Sequence, residues 1–201
     1  MRATPRQSGH SKTGVRIMDG GLRIWNICNQ CARNVYGTAA PNQRYADATA
    51  RLLFGTAAQE SALLWERQRS PRYDGQVGGF SKWQLETASI KESLAFLRSR
   101  QPLLKNATDF LFADPHAPVS WIDQMTLDAI LWSMRMDDND KLGCLFARIH
   151  YMWSTPAPIP YSLDEQAAYW KTYYNSPHGA GTTTQYIESW RRLCEPVIYA
   201  A

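Results

Sequence analysis

The chain reads as mostly α-helical with a small β or loop insertion, and three observations carry that reading. Apolar residues recur at steps of three and four along most of its length. Glycine and proline gather in a few short connections. Hydrophobic residues make up 44% of the 201, with 8 Trp and 10 Tyr. That is enough for a sizeable core in one domain, and it excludes a disordered chain.

The elements follow in order. Residues 1–17 mix Ser, Gly, Pro, Lys and Arg without apolar periodicity and are expected to form a flexible basic arm. Residues 18–201 are expected to form the folded domain. A helix is predicted from about Gly21 to Tyr36, with Gly37 as its cap and a turn at Pro41-Asn42. Its stripe is Ile24, Cys28, Cys31 and Val35. The Cys28-Asn29-Gln30-Cys31 spacing also fits metal or redox chemistry. Since no second such pair exists, small, reduced, buried cysteines are the preferred reading.

The run from Tyr45 to roughly Arg67 has no proline and one glycine. Ala46, Ala50, Leu53, Ala57, Glu60 and Leu64 fall on one helical face. Five are apolar and the sixth is a carboxylate, so Glu60 stands where burial is expected. A buried carboxylate without a counter-charge has a raised pKa and can serve as a general acid. Periodicity leaves open a second arrangement, in which the face ends near Glu60 and the carboxylate sits at a solvated edge.

Ser70 to Phe80 is rich in turn formers and is the one stretch where a short strand pair is credible. Helices are then predicted over Thr87–Arg100, with Ile90, Leu94 and Leu97 on one face, and over Leu103–Phe112. Ser120 is placed to cap a long helix through Met134. Asp137-Asp138-Asn139-Asp140 lacks the glycine and the later Glu of a calcium loop, so it reads as a solvated helix start leading into Leu142–Trp153. Ser162 or Asp164 caps Leu163–Tyr174, and a last helix covers Thr184–Cys194. His10, His116, His150 and His178 share no ligand spacing, and His150 reads as a core or edge residue. Neither a cofactor nor a metal is called for.

A net charge of +4 suits an anionic partner such as a cell wall but demands none, and without a Lys/Arg tract no nucleic acid is required. No apolar stretch approaches a membrane span, and the polar N-terminus has no apolar core of a secretory signal. The protein is therefore expected to be made in a cytoplasm and to stay there unless something carries it out.

Three polar spots remain: Gln59-Glu60-Ser61 at a helix end, Gly78-Gly79-Phe80-Ser81-Lys82-Trp83-Gln84 in a loop, and Tyr173-Tyr174-Asn175-Ser176 at a helix–loop junction. Glycines beside aromatics and amides suit a sugar-binding groove. In order and rough spacing these spots resemble the motifs of lytic transglycosylases, members of the goose-type lysozyme-like superfamily. Glu60-Ser61 resembles the Glu-Ser of the first motif. Gly78 and Gln84 match the ends of the second, and Tyr174-Asn175 the Tyr-Asn of the third, with Tyr186 resembling the tyrosine that follows. The set looks most like phage-encoded members, which share a Gly-Thr-Ala-Ala-Gln-Glu-Ser helix, an Ala-Arg-x-x-Tyr helix (Ala147, Arg148, Tyr151) and a late Tyr-Trp-Lys-x-x-Tyr-Asn segment (Tyr169 to Asn175). Ser81, Thr87, Ser176 and Pro177 depart from the motifs.

The resemblance implies a lysozyme-like helical domain that cleaves the MurNAc–GlcNAc bond of peptidoglycan strands. Glu60 would be the catalytic acid, with assistance from the substrate's N-acetyl group and an anhydro-sugar product. Ser61, Gly79, Ser81, Gln84, Tyr174 and Asn175 would bind substrate; loop packing and capping are the alternative for Gln84, Tyr174 and Asn175. Glu86, the one other carboxylate near a motif, reads as a helix-start residue. Placement in a phage particle, at the tail or inside it and beside other virion proteins, is expected ahead of a free endolysin. The competing reading is a virion structural protein with the same fold and little activity, in which Trp190 and Tyr199 are exposed for assembly.

Overall fold

The computed structural model describes residues 12–36, 42–64, 79–113, 121–123, 136, 139–155, 157–175 and 179–201, with the backbone alone for 12–18. It is mostly α-helical, as the sequence predicts. Among the described residues no strand forms. The one β feature among them is a bridge between Phe80 and Leu85, at the end of the Ser70–Phe80 stretch where a strand pair was expected; residues 70–78 of that stretch lie outside the described residues. The predicted cap Gly37, Pro41 of the predicted Pro41-Asn42 turn, Gly78 and most of the helix predicted after Ser120 lie outside the described residues.

The first helix, α1 (Lys12–Asn34), starts well before Gly21 and takes in the end of the predicted arm. The predicted start was about Gly21, and glycine inside a helix costs about 1 kcal/mol. Gly21 instead lies against Val197, whose Cγ2 would be 2.7 Å from a Cβ at that position, so the glycine admits close helix–helix contact. The stripe Ile24, Cys28, Cys31 and Val35 is fully buried, and all four cysteines of the chain are buried free thiols.

Helix α2 (Gln43–Ser61) begins at Asn42, whose side chain accepts from the Tyr45 N–H at 2.8 Å. It is buried on nearly every side, which marks a central helix. Thr49, Thr56 and Ser61 satisfy their hydroxyls on the carbonyls four residues back, at 2.8–2.9 Å. The helix stops at Ser61, short of the predicted Arg67. Ala62 and Leu63 turn left-handed at φ 53° and 62°, and the Ala62 N–H closes onto Ala58 O at 3.0 Å. That turn buries Leu63, at 5% exposed, and leaves Leu64 outside at 52%, so Leu64 does not belong to the buried stripe.

Helices α3 (Thr87–Arg98) and α4 (Gln101–Phe112) follow, with Ile90, Leu94 and Leu97 buried as their spacing predicts. Helix α5 (Asp140–Ser154) is capped by Asn139 and packs on α1, α3 and α4. Its start is not solvated: Asp140 is buried and ion-paired with Arg23 and with Lys82, the latter at 3.2 Å. Helix α6 (Leu163–Tyr173) is capped by Ser162, and α7 (Thr183–Ser189) by a reciprocal Thr182–Gln185 capping box.

A π-helical turn, Trp190–Cys194, then leads into α8 (Glu195–Ala200). The Glu195 N–H bonds to Trp190 O, five residues back. Pro196 explains the widening, since a proline ring in an α-helix clashes with the carbonyl four residues earlier. Of the two C-terminal aromatics expected to be exposed, only Tyr199 is. Trp190 is buried between Phe54 and the Arg51 guanidinium, whereas Tyr199 is 84% exposed. Arg51 and α2 recruit the indole into the core. No helix among the described residues is long and apolar enough to cross a membrane.

Candidate active site

Glu60 occupies the last turn of α2, on the side that carries Leu53, Thr56 and Ala57 into the core. It is half-buried, and its Oε1 accepts from Trp170 Nε1 of α6 at 2.9 Å. Burial pushes its pKa from 4.5 up to about 7, and the indole bond pulls part of the way back by favouring the anion. Among the described residues no neighbouring charge contributes to that shift. Glu60 is thus a desolvated carboxyl held by one neutral donor, able to carry a proton at neutral pH and to release it.

The second polar spot is a tight turn. Phe80 and Leu85 exchange both backbone hydrogen bonds at 2.9 Å, and Ser81 to Gln84 cross between them. Ser81 and Gln84 have left-handed backbones, at φ 61° and 50°. Gly79 must be glycine, because a Cβ there would lie 2.3 Å from Gln84 O. Ser81 is fully buried, and its Oγ accepts from the Trp83 N–H at 3.3 Å. Gln84 Nε2 donates to Ser81 O at 2.7 Å, while its buried Oε1 has no hydrogen-bond partner among the described residues.

Trp83 joins this turn to the other two spots. Its Nε1 donates to Leu53 O of α2 at 2.8 Å, and its carbonyl accepts from Tyr174 OH at 2.7 Å. Tyr174 stacks against Tyr151 and His150, with centroids 5.1 and 4.9 Å away. Burial pushes the phenols of Tyr174 and Tyr151 well up, and the Glu60 charge adds to both shifts. His150 donates from Nε2 to Tyr173 O at 3.1 Å, and burial lowers its pKa, so it sits neutral beneath the end of α6.

The fold therefore links Glu60, the Gly79–Gln84 turn and Tyr174 through two tryptophans. Ser61 and Asn175 are placed differently. The Ser61 hydroxyl is buried and spent on Ala57 O. Asn175 Oδ1 accepts from Lys171 Nζ at 3.0 Å, and the same ammonium donates to Gly179 O at 2.7 Å, which closes the loop after α6. Glu86 is the exposed N-cap residue of α3. Tyr186 is buried, its OH 3.4 Å from Leu52 O.

Sequence reasoning placed Trp170 in the Tyr169–Asn175 segment but gave it no role, whereas it is the direct partner of Glu60. A buried indole N–H needs an acceptor, which was the available signal. The identity of that acceptor, 110 residues away, was not readable from local pattern.

The thiols of Cys28 and Cys144 stand 4.0 Å apart, with Cys31 near the Cys144 carbonyl. No group of three or more His, Cys, Asp or Glu among the described residues is arranged to hold a metal ion.

Fold and site together define a mostly helical domain with one proton-carrying carboxyl at the end of its central helix. Comparison with family models, with curated proteins and with solved structures finds no match to this chain.

Proposed function

We propose that this protein is a peptidoglycan lytic transglycosylase with Glu60 as its single catalytic acid. The observation that carries the reading is the Glu60 carboxyl at the end of α2, held by the Trp170 indole and raised to about 7 by burial, with no cation beside it among the described residues. Such a group donates a proton to the glycosidic oxygen as the C–O bond breaks. The substrate's N-acetyl oxygen would cover the cation developing at C1. The Glu60 carboxylate would then take the proton of the 6-hydroxyl as that oxygen closes onto C1, which leaves a 1,6-anhydro sugar and returns Glu60 to its acid form. Gln84, with a buried acceptor and a pinned amide, would read a sugar hydroxyl. Tyr174 would hold the turn against α2 through Trp83.

The experiment is a zymogram on purified wall with the parent and Glu60→Gln, followed by mass spectrometry of the products. Cleavage by the parent alone with anhydro-muramyl ends is the expected result. Equal lysis by both proteins defeats the assignment of Glu60, and reducing ends replace the transglycosylase with a hydrolase.

In this reading the enzyme rides in a phage particle and opens the host wall for genome delivery. Proteomics on purified virions tests that, and its presence only in the late soluble lysate makes it a free endolysin. A second reading, a virion structural protein with the same fold, is favoured by one observation. The hydroxyls of Ser61 and Tyr174 are engaged internally rather than offered to a ligand. A parent inactive on every wall tested would select it.

A further inference from the structure

A groove of about 410 Å³ lies between the last turn of α2 and the α7–π-turn segment, and Glu60 is not among the residues that line it. Its size falls in the range of small-ligand sites. Its floor is the methyls of Ala58 and Ala62, and its walls are polar. No aromatic ring lines it, so it offers no platform for a sugar face.

Its two amides are pre-set. Ser189 Oγ donates to Gln59 Oε1 at 2.9 Å, and the Thr182 N–H donates to Gln185 Oε1 at 2.9 Å. With both carbonyl ends occupied, both NH₂ groups remain as donors suited to peptide carbonyls. Glu188 and Arg192 add one charge of each sign. Among the described residues no ion pair engages either of them. Arg192 belongs to the π-helical turn, a distortion found often at functional sites. Glu188 would repel a phosphate, whereas a ligand with both an amine and a carboxylate satisfies both charges.

We propose that this groove is a subsite for the peptide of a peptide-substituted glycan, with a ligand carboxylate on Arg192, an amine on Glu188, and peptide carbonyls on Gln59 and Gln185. The inference rests on the peptidoglycan reading above and names the part of that polymer the second site takes. Gln59 is the sequence neighbour of Glu60, so the groove and the carboxyl share the last turn of α2. An extended peptide of four residues spans about 14 Å, enough to cross the helix end from a glycan held at Glu60.

The test uses the full chain carrying Glu60→Gln and the free wall tetrapeptide, L-alanyl-D-isoglutamyl-meso-diaminopimelyl-D-alanine. Titration followed by NMR should give saturable shifts of the Gln59 and Gln185 side-chain amides. Adding Arg192→Ala or Glu188→Gln should weaken binding roughly tenfold or more, the scale of losing one charge-assisted contact. Thermal melts confirm that each variant is folded. No saturable shift, or equal affinity in all variants, overturns the subsite. A parallel assay compares parent cleavage of intact wall with that of wall stripped of peptides by an amidase. Faster cleavage of intact wall supports the subsite, and equal rates count against it. A parent that cleaves neither substrate while the tetrapeptide binds overturns the enzyme reading and leaves the peptide site standing.

Discussion

Two carboxylates on the central helices meet burial in opposite ways. Asp140, at the start of α5, is neutralised by two cations, Lys82 from the 80–85 turn and Arg23 from α1. Glu60, at the end of α2, has among the described residues a single neutral donor, the indole of Trp170. Both lie near loops that carry sequence motifs, and both would be expensive if charged and alone. The first arrangement fixes three segments together. The second stores a proton, because without a counter-charge the acid form is the favourable one until the pH rises past about 7. A buried carboxylate is thus evidence of chemistry only when its partners are neutral.

The widest separation between the two should come from activity. Glu60→Gln is expected to lower wall cleavage by roughly 10²- to 10⁴-fold, the usual contribution of a general acid. The fold should stay intact, since the amide keeps the shape and removes the cost of burying a charge. Turbidity loss of purified wall and circular dichroism on the same sample check both halves.

Asp140→Ala should act on stability. It removes one interaction of the buried Lys82 ammonium and should cost more than about 1 kcal/mol. Urea unfolding measures it. A cost below about 1 kcal/mol would mean that the pair is exposed in solution and the contrast with Glu60 is false.

A third measurement concerns pH. The folded pKa of Glu60 is raised from 4.5 to about 7, so the native chain binds that proton more tightly than the unfolded one. The associated stability is full below about pH 4.5 and is lost as the pH rises through about 7, by up to about 3 kcal/mol. Subtracting the Glu60→Gln profile cancels the other groups. A difference that stays flat from pH 4 to 8 would place Glu60 in solvent. Cleavage, which needs the acid form, should fall above about pH 7.

The smallest effect sharpens the role of Trp170. Trp170→Phe removes the one donor to Glu60 and with it about 1.5 kcal/mol of bonding to the charged form. The alkaline limb of the activity profile should move up by about one unit. An unmoved limb would mean that the indole does not touch the carboxylate during turnover.

Part of this site was legible without coordinates. The stripe Ala46, Ala50, Leu53 and Ala57 pointed at Glu60, and those four are buried as their spacing predicts. The turn chemistry around Gly79 announced a tight connection, and Asn42 and Ser162 cap the helices they precede. These features depend on neighbours within one or two turns, so a local pattern suffices to find them. The chain alone thus located most of the described helices and their buried faces, and it put Glu60 on such a face while leaving a solvated edge open. Only the tertiary structure decided that α2 ends at Ser61, that Trp190 is core rather than surface, and that Asp140 has cations while Glu60 has an indole. Each of those outcomes turns on a contact between segments up to about a hundred residues or more apart, or on which of two adjacent leucines a packed surface accepts. Such choices follow from how complete helices fit together, and periodicity along one helix carries no information about the face it will meet.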